Sequence, residues 1–349
     1  MRAVVPHFCF SIYSISFHSF VLFCKIMNSF SLSFRKSFSG ASLCLAAIIL
    51  AHSTAPQAHA CAACGCTLSS DWESQGYSTA SGFQVDVQYN YIDQNQLRHG
   101  SHAADPSAVP MGQELEENTT NNYITAGFTY NFNADWGVTL YVPWIDRQHT
   151  TLGGSHDSPD FASVGSLGDM RLVARYQGIL ANHNLGVQLG VKLPTGSFTQ
   201  TFEDGQALDR ELQPGSGTVD AIAGLYYFHN LGREWSGFAQ LTVQTALDSR
   251  AQYKPGTSEN LSLGVRYLGW DQITPAFQIN GREVGRDTGA QADNYDTGGT
   301  LIYLSPGITY TPTKQISLYL FVQVPVYQNV YGWQLSPKWT LSSGVRVTF

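Results

Sequence analysis

Beyond residue 66 the chain has no cysteine; all six lie between Cys9 and Cys66. The body of the protein is therefore held by neither a disulfide framework nor a thiolate metal site. Charge is scarce too. Only 13% of the 349 residues are Asp, Glu, Lys or Arg, about half the ordinary share. Mean hydropathy is close to zero, which excludes a helical membrane protein. What is abundant is aromatic residues, at 13%, and glycine, at 33. Few charges with many rings and glycines suit an all-β chain that faces something other than water.

The start of the chain reads as targeting sequence. Residues 27–60 carry Arg35 and Lys36, then the apolar run Ala41–Ala51, then Ala58-His59-Ala60. That order is a secretory signal with cleavage after Ala60, and the apolar run is too short for a spanning helix. Residues 1–26 place a second apolar stretch ahead of it, as a start codon assigned too early would. Without residues 1–60, 15 of the 19 Lys+Arg remain against 26 Asp+Glu, a net of −11. Nucleic acid, which needs a basic face, is excluded as a partner. The remaining chain divides into a Cys-rich periplasmic segment, 61–81, and a body, 82–349.

Residues 82–349 alternate apolar and polar side chains. In Gly82–Asp93, Phe83, Val85, Val87, Tyr89 and Tyr91 interleave with Gln84, Asp86, Gln88 and Asn90. A strand with one apolar face has this period. Twelve such runs follow one another to Phe349. A soluble sandwich alternates in the same way, so the connections decide. Short turns, such as Asn133-Ala134-Asp135, take turns with long loops, at 95–120, 147–166, 195–216, 248–258 and 284–298. That rhythm, with strands of about ten residues and aromatics at their ends, predicts a transmembrane antiparallel up-and-down β-barrel of about 12 strands. Short turns would face the periplasm and long loops the outside of a Gram-negative cell. The ending WTLSSGVRVTF, with Trp339 and terminal Phe349 facing outward, resembles the signal read by the barrel assembly machinery. Outer-membrane lipid would then be the surrounding partner, and a closed ring is required because lipid satisfies no open sheet edge.

If the apolar face meets lipid, the polar face lines the lumen. The charged candidates there are Asp86, Asp169, Arg171, Arg175, Lys192, Asp220, Arg266, Arg282 and Arg346. Buried charges need partners, so one reading is that the three aspartates pair with nearby arginines and brace the wall. The other is a mildly cationic path for anionic or polar-aromatic solutes. Pro143, Pro194, Pro275, Pro306 and Pro325 mark bulges or strand ends, since proline cannot donate to the ladder.

The segments SLGDMRLVARYQGI (166–179) and GVKLPTGSF (190–198) resemble the signature of a large family of proteobacterial outer-membrane proteins. Its members are labelled transporters or linked to the MetA pathway of phenol degradation. The resemblance covers most of 82–349. It implies a barrel that passes small hydrophobic or aromatic compounds. The function expected is thus a channel or transporter for passive passage of a small-molecule solute, not an enzyme.

Two alternatives belong to other classes. Ser155-His156-Asp157 carries the residue types of a hydrolase, but it lies in a Gly-rich loop, where sequence neighbours rarely form a triad. His99, His102, His149 and His156, with Glu114, Glu116 and Glu117, match no ligand template. Loop 202–216 is acidic and Gly-rich, as a loop that gates the mouth would be. The motif CAACGC (61–66) leaves three readings open for Cys61, Cys64 and Cys66. They are one disulfide with a thiol left over, a lipid anchor on Cys61, or a Cu(I) or Zn²⁺ site of a metal-linked component.

Overall fold

The computed structural model describes residues 81–349. The signal segment and Cys61, Cys64 and Cys66 lie outside the described residues. Thirteen strands follow: β1 (Gly82–Gly100), β2 (His102–Ala103), β3 (Leu115–Asn131), β4 (Trp136–Leu152), β5 (Pro159–Leu167), β6 (Arg171–Tyr176) and β7 (Leu185–Lys192). Then come β8 (Asp220–Asn230), β9 (Trp235–Ala246), β10 (Ser258–Tyr267), β11 (Ile273–Val284), β12 (Gly299–Tyr310) and β13 (Ile316–Thr348). Each strand pairs antiparallel with its successor around the ring, and β13 pairs with β1 to close it. Strands β2 and β5 lie off this path.

The 33-residue β13 crosses the wall twice. It runs against β12 from Leu318 to Val330 and against β1 from Val330 to Thr348. It reverses at Tyr331-Gly332, where Gly332 has φ 66°. A Cβ there would stand 1.7 Å from Asp296 Oδ1, so only glycine fits. With the other ten ring strands this makes twelve crossings, the number that the alternation predicts. Strands β5 and β6 are one crossing broken at Gly168-Asp169-Met170. The first pairs with the upper part of β4 and the second with its lower part.

The short connections (132–135, 177–184, 231–234, 268–272 and 311–315) lie at the end that also holds Gly82 and Phe349. There the Phe349 N–H donates to Phe83 O at 2.8 Å. The long ones, 101–114, 153–158, 193–219, 247–257 and 285–298, share the other end. The first two are shorter than their sequence bounds of 95–120 and 147–166, because β1, β3, β4 and β5 project beyond the membrane. There polar side chains fall on both faces of β1, β3 and β4, the inward face of β5 stays apolar with Ala162 and Val164, and register shifts at Ile92/Gln94 and Gln94/Gln96 break the alternation. Some prolines sit at such irregularities. Pro325 and Pro337 flank register shifts, whereas Pro275 and Pro306 lie in an unbroken ladder.

The polarity is inverted relative to a soluble protein. Leu140, Leu172, Leu225, Leu263, Phe277 and Leu320 are exposed on the outside, while Gln94, Gln188, Gln240, Gln278 and Gln323 are buried inside. Lipid covers the first set. A closed ladder also leaves no backbone group unpaired in lipid. Rings gather at the short-turn rim, where Trp136 packs on Tyr176 (4.6 Å), Trp235 on Tyr267 (5.1 Å) and Phe83 on Phe349 (5.9 Å). Trp144 lies eight residues up β4 from Trp136. That is about 27 Å along a strand, or about 20 Å along the axis at a tilt of about 40°. The two tryptophans therefore mark the edges of an apolar band of membrane thickness. The chain is a transmembrane β-barrel of the Gram-negative outer-membrane type.

Candidate functional site

The lumen is the one place where polar and charged groups converge in an otherwise apolar wall. At its upper end, Lys192 Nζ of β7 lies 3.1 Å from both Asp169 Oδ2 and Asp220 Oδ2, and all three are buried. The same ammonium donates to Ser216. Asp169 accepts from the backbone N–H of Gly196 (3.0 Å) and of Ser216 (2.9 Å). Thr195 Oγ1 donates to Gly168 O at 3.0 Å and accepts from Met170 N. The two signature segments of the sequence thus meet here. They fasten both ends of loop 193–219 to the break between β5 and β6. Two of the three predicted aspartates share one lysine rather than pairing with arginines.

Lower down, Tyr319 OH donates to both oxygens of Asp86, at 3.1 and 3.0 Å, and Arg346 Nη2 stands 3.6 Å from Asp86 Oδ2. Arg175 Nη2 donates to Asn131 Oδ1 at 2.6 Å. Nearer the extracellular end, Arg171 lies over the Tyr141 ring at 4.9 Å, and Arg282 Nη1 donates to Asn260 Oδ1 at 3.0 Å. Arg266 is buried on β10. The nine charged candidates therefore fall into an upper cluster of three, Arg171 directly across the ladder from Lys192, Arg282 near the extracellular end of β11, and separate sites lower down.

The alternation hid one layer. Near the short-turn end, Tyr226 and Phe228 of β8, Phe238 of β9, and Tyr319 and Phe321 of β13 form a buried cluster with Ala276 of β11. They occupy inward positions, where the pattern predicts polar side chains. The signal that marks them is a glycine directly across the ladder. Gly186 faces Tyr226, Gly264 faces Phe238 and Gly307 faces Phe321.

The mouth is roofed. Leu208 and Leu212 of loop 193–219 pack on Ala162 and Val164, the inward face of β5, with Phe202 beside them. Strand β5 pairs only with β4, and its other edge receives Glu203 N–H on Phe161 O at 2.9 Å. In this sector a loop stands where a neighbouring strand would be. Three loops then meet around two carboxyls. Asp293 N donates to Glu211 Oε1 (3.1 Å), Tyr253 OH to Asp287 Oδ2 (2.9 Å) and Gly256 N to Asp287 Oδ1 (2.6 Å). Burial, then the charges of Asp287 and Asp209, pushes the Glu211 carboxyl up to about 8. Burial likewise raises Asp287, which accepts a hydrogen bond from Glu211. Asp296 accepts from Trp333 N at 2.9 Å, and burial raises it to about 6.

The histidines do not assemble. His149 lies in β4, not in a loop; it is buried, with Nδ1 2.8 Å from Thr119 Oγ1. His99 stacks on Trp333 at 4.5 Å, and His156 Nε2 lies 2.8 Å from Gln113 O. Among the described residues no three of His, Cys, Asp and Glu gather as metal ligands. Ser155 is exposed, and the His156 ring is turned to Gln113 rather than to it. Arg147, which the sequence places in a loop, is instead a buried tie. Its guanidinium donates to Asn121 (2.6 Å), Tyr123 OH (2.7 Å) and Glu211 O (3.4 Å).

A closed ring, an apolar outside, a polar interior and a loop-covered mouth define the class: an outer-membrane β-barrel with a polar lumen. No family model matches the chain, and no curated protein matches it. Solved structures do. The COG4313 outer membrane channel from Pseudomonas putida F1 is 14% identical with a TM-score of 0.55, over 77% of this chain and 96% of that one. The CymD monoaromatic hydrocarbon channel is 9% identical with a TM-score of 0.45, over 77% and 89%. A Pseudomonas aeruginosa FadL homologue is 11% identical with a TM-score of 0.41, over 84% and 97%. At such identities the likeness to the first of them is one of fold.

Proposed function

We propose that the chain is an outer-membrane channel that passes small hydrophobic or aromatic solutes. The observation that carries this reading is the interior itself. An apolar roof contact (Leu208 and Leu212 on Val164) stands at the mouth and an aromatic layer at the periplasmic end, with amides and charged pairs between them. A hydrophilic porin would line that axis with charge and water instead. The fold shared with an outer membrane channel supports the same reading.

The test is uptake of N-phenyl-1-naphthylamine, an apolar dye that intact lipopolysaccharide excludes, by porin-poor Gram-negative cells. Expression of the folded barrel is expected to speed the rise in fluorescence severalfold over a vector control. A folded barrel that leaves the dye rate unchanged sinks the proposal.

A further inference from the structure

We propose that Tyr226, Phe228, Phe238, Tyr319 and Phe321 are the selectivity element of this path, preferring planar aromatic solutes to saturated ones of equal size and charge. This rests on the channel reading above.

Three observations carry it. The first is placement. Phe228 lies two residues before the end of β8, while Phe238 and Tyr319 each lie three residues after the start of their strands. These three rings therefore lie near the periplasmic rim, where a solute must leave the lumen, with Tyr226 and Phe321 two residues further in along the same strands. The second is how the wall is thinned to seat them. A Cβ on Gly186 would stand 2.2 Å from the Tyr226 ring, on Gly264 2.1 Å from Phe238, on Gly307 2.0 Å from Phe321, and on Gly344 2.3 Å from Tyr319. Each ring thus lies across a neighbouring strand, in the space where that strand's side chain would be, instead of projecting toward the axis. The rings bury one another in this layer, so a solute leaving through it must pack among them, and offset or edge contacts to a ring are what distinguish an aromatic guest from an aliphatic one. Glycine weakens a strand interior, so the pairing recurs at a structural cost. The third is that the rings are already tied in place. Tyr226 OH donates to Gln177 Oε1 at 3.2 Å and Tyr319 OH to Asp86, while Phe228 lies 5.6 Å from Tyr226 and 6.2 Å from Phe238. A preorganised layer loses little entropy when a solute packs into it.

The experiment compares benzoate with cyclohexanecarboxylate, which share the carboxylate and differ in the ring. Flux into proteoliposomes is measured for wild type, Phe228→Leu and the pair Phe228→Leu with Phe321→Leu. Leucine keeps the layer apolar and removes the π-face. Wild type is expected to pass benzoate roughly two- to tenfold faster, the range that one ring–ring contact supplies, and the double variant to bring the ratio close to one. Equal fluxes of the two probes through wild type overturn the proposal without any variant, as does a preference that survives both substitutions. If neither probe crosses wild type, the channel reading fails, and benzoate saturation transfer in nanodiscs still decides the ring layer. A signal lost in the double variant supports it, and equal or absent signals overturn it.

Discussion

The two ends of the barrel are held by opposite chemistry. At the periplasmic end, rings lie over glycines, and the layer is fixed by volume: each aromatic fills what its neighbour lacks. At the extracellular end, loops are fixed by charge and hydrogen bonding, through Lys192 between two aspartates and through the buried carboxyls Glu211 and Asp287. Packing of rings is insensitive to pH and salt, and it fails when a methyl group is added. Buried charge tolerates a change of volume but fails when one partner is removed. The largest predicted effects probe this difference directly.

Replacing Lys192 with Met keeps the length of the side chain and leaves Asp169 and Asp220 facing each other in a dry site. Removing one partner of a buried pair costs about 3–5 kcal/mol. The expected result is a barrel that loses its heat-modifiable gel migration at a much lower temperature. Loop 193–219 would also be cleaved readily by added protease, since Ser216 and Gly196 are anchored on the same carboxylate. A variant with wild-type thermal behaviour would show that the cluster does not hold the upper end.

At the other end, Gly307→Ala sets a methyl group about where the Phe321 ring lies. Overpacking of this kind costs about 1–3 kcal/mol, so a smaller fall in the same transition is expected. Adding Phe321→Ala should recover part of that loss, a coupling that distant sites do not show. If the double variant is as unstable as the two losses added together, the ring does not occupy the glycine's space.

The contrast between the ends also separates what the residues disclose from what they conceal. Alternation from Phe83 to Phe349 predicts the outward face, the crossing count and the side on which the chain ends, because lipid tolerates no exception along a strand. The segments around Asp169 and Lys192 are conspicuous, yet spacing does not show that they meet, since Asp220 and Ser216 arrive from a loop. The aromatic layer escapes for a different reason. Tyr226 and Phe238 sit at inward positions that a binary pattern assigns to polar side chains, and their partners are glycines on other strands. Only the register joins the two. Arg147 and His149 were concealed by register too. Above the membrane β4 carries polar residues on both faces, from Arg147 to Thr151, and a polar strand looks like a loop.

A dependence on pH is also expected, one that only the extracellular end should show. Glu211 is raised to about 8 in the folded protein, from an ordinary value near 4.3. Its neutral form is the one that the closed roof accommodates. With the closed state holding more protons than the open one between those values, the roof is tightest at low pH and loosens as pH rises through that window. Above about 8 the loss is complete. Linkage limits the change in loop opening to about tenfold per pH unit for one proton, and the charge of Arg210 beside Glu211 reduces it. Hydrogen exchange of loops 193–219 and 285–298 is therefore expected to accelerate between pH 5 and 9, while the amides of β9 near Phe238 keep the ordinary base-catalysed slope. Glu211→Gln, which is neutral at every pH and can still hydrogen-bond Asp287, should flatten the loop response without moving the strand amides. A wild-type loop response no steeper than that of β9 would show that the roof does not depend on this proton, and that the two ends differ in packing alone.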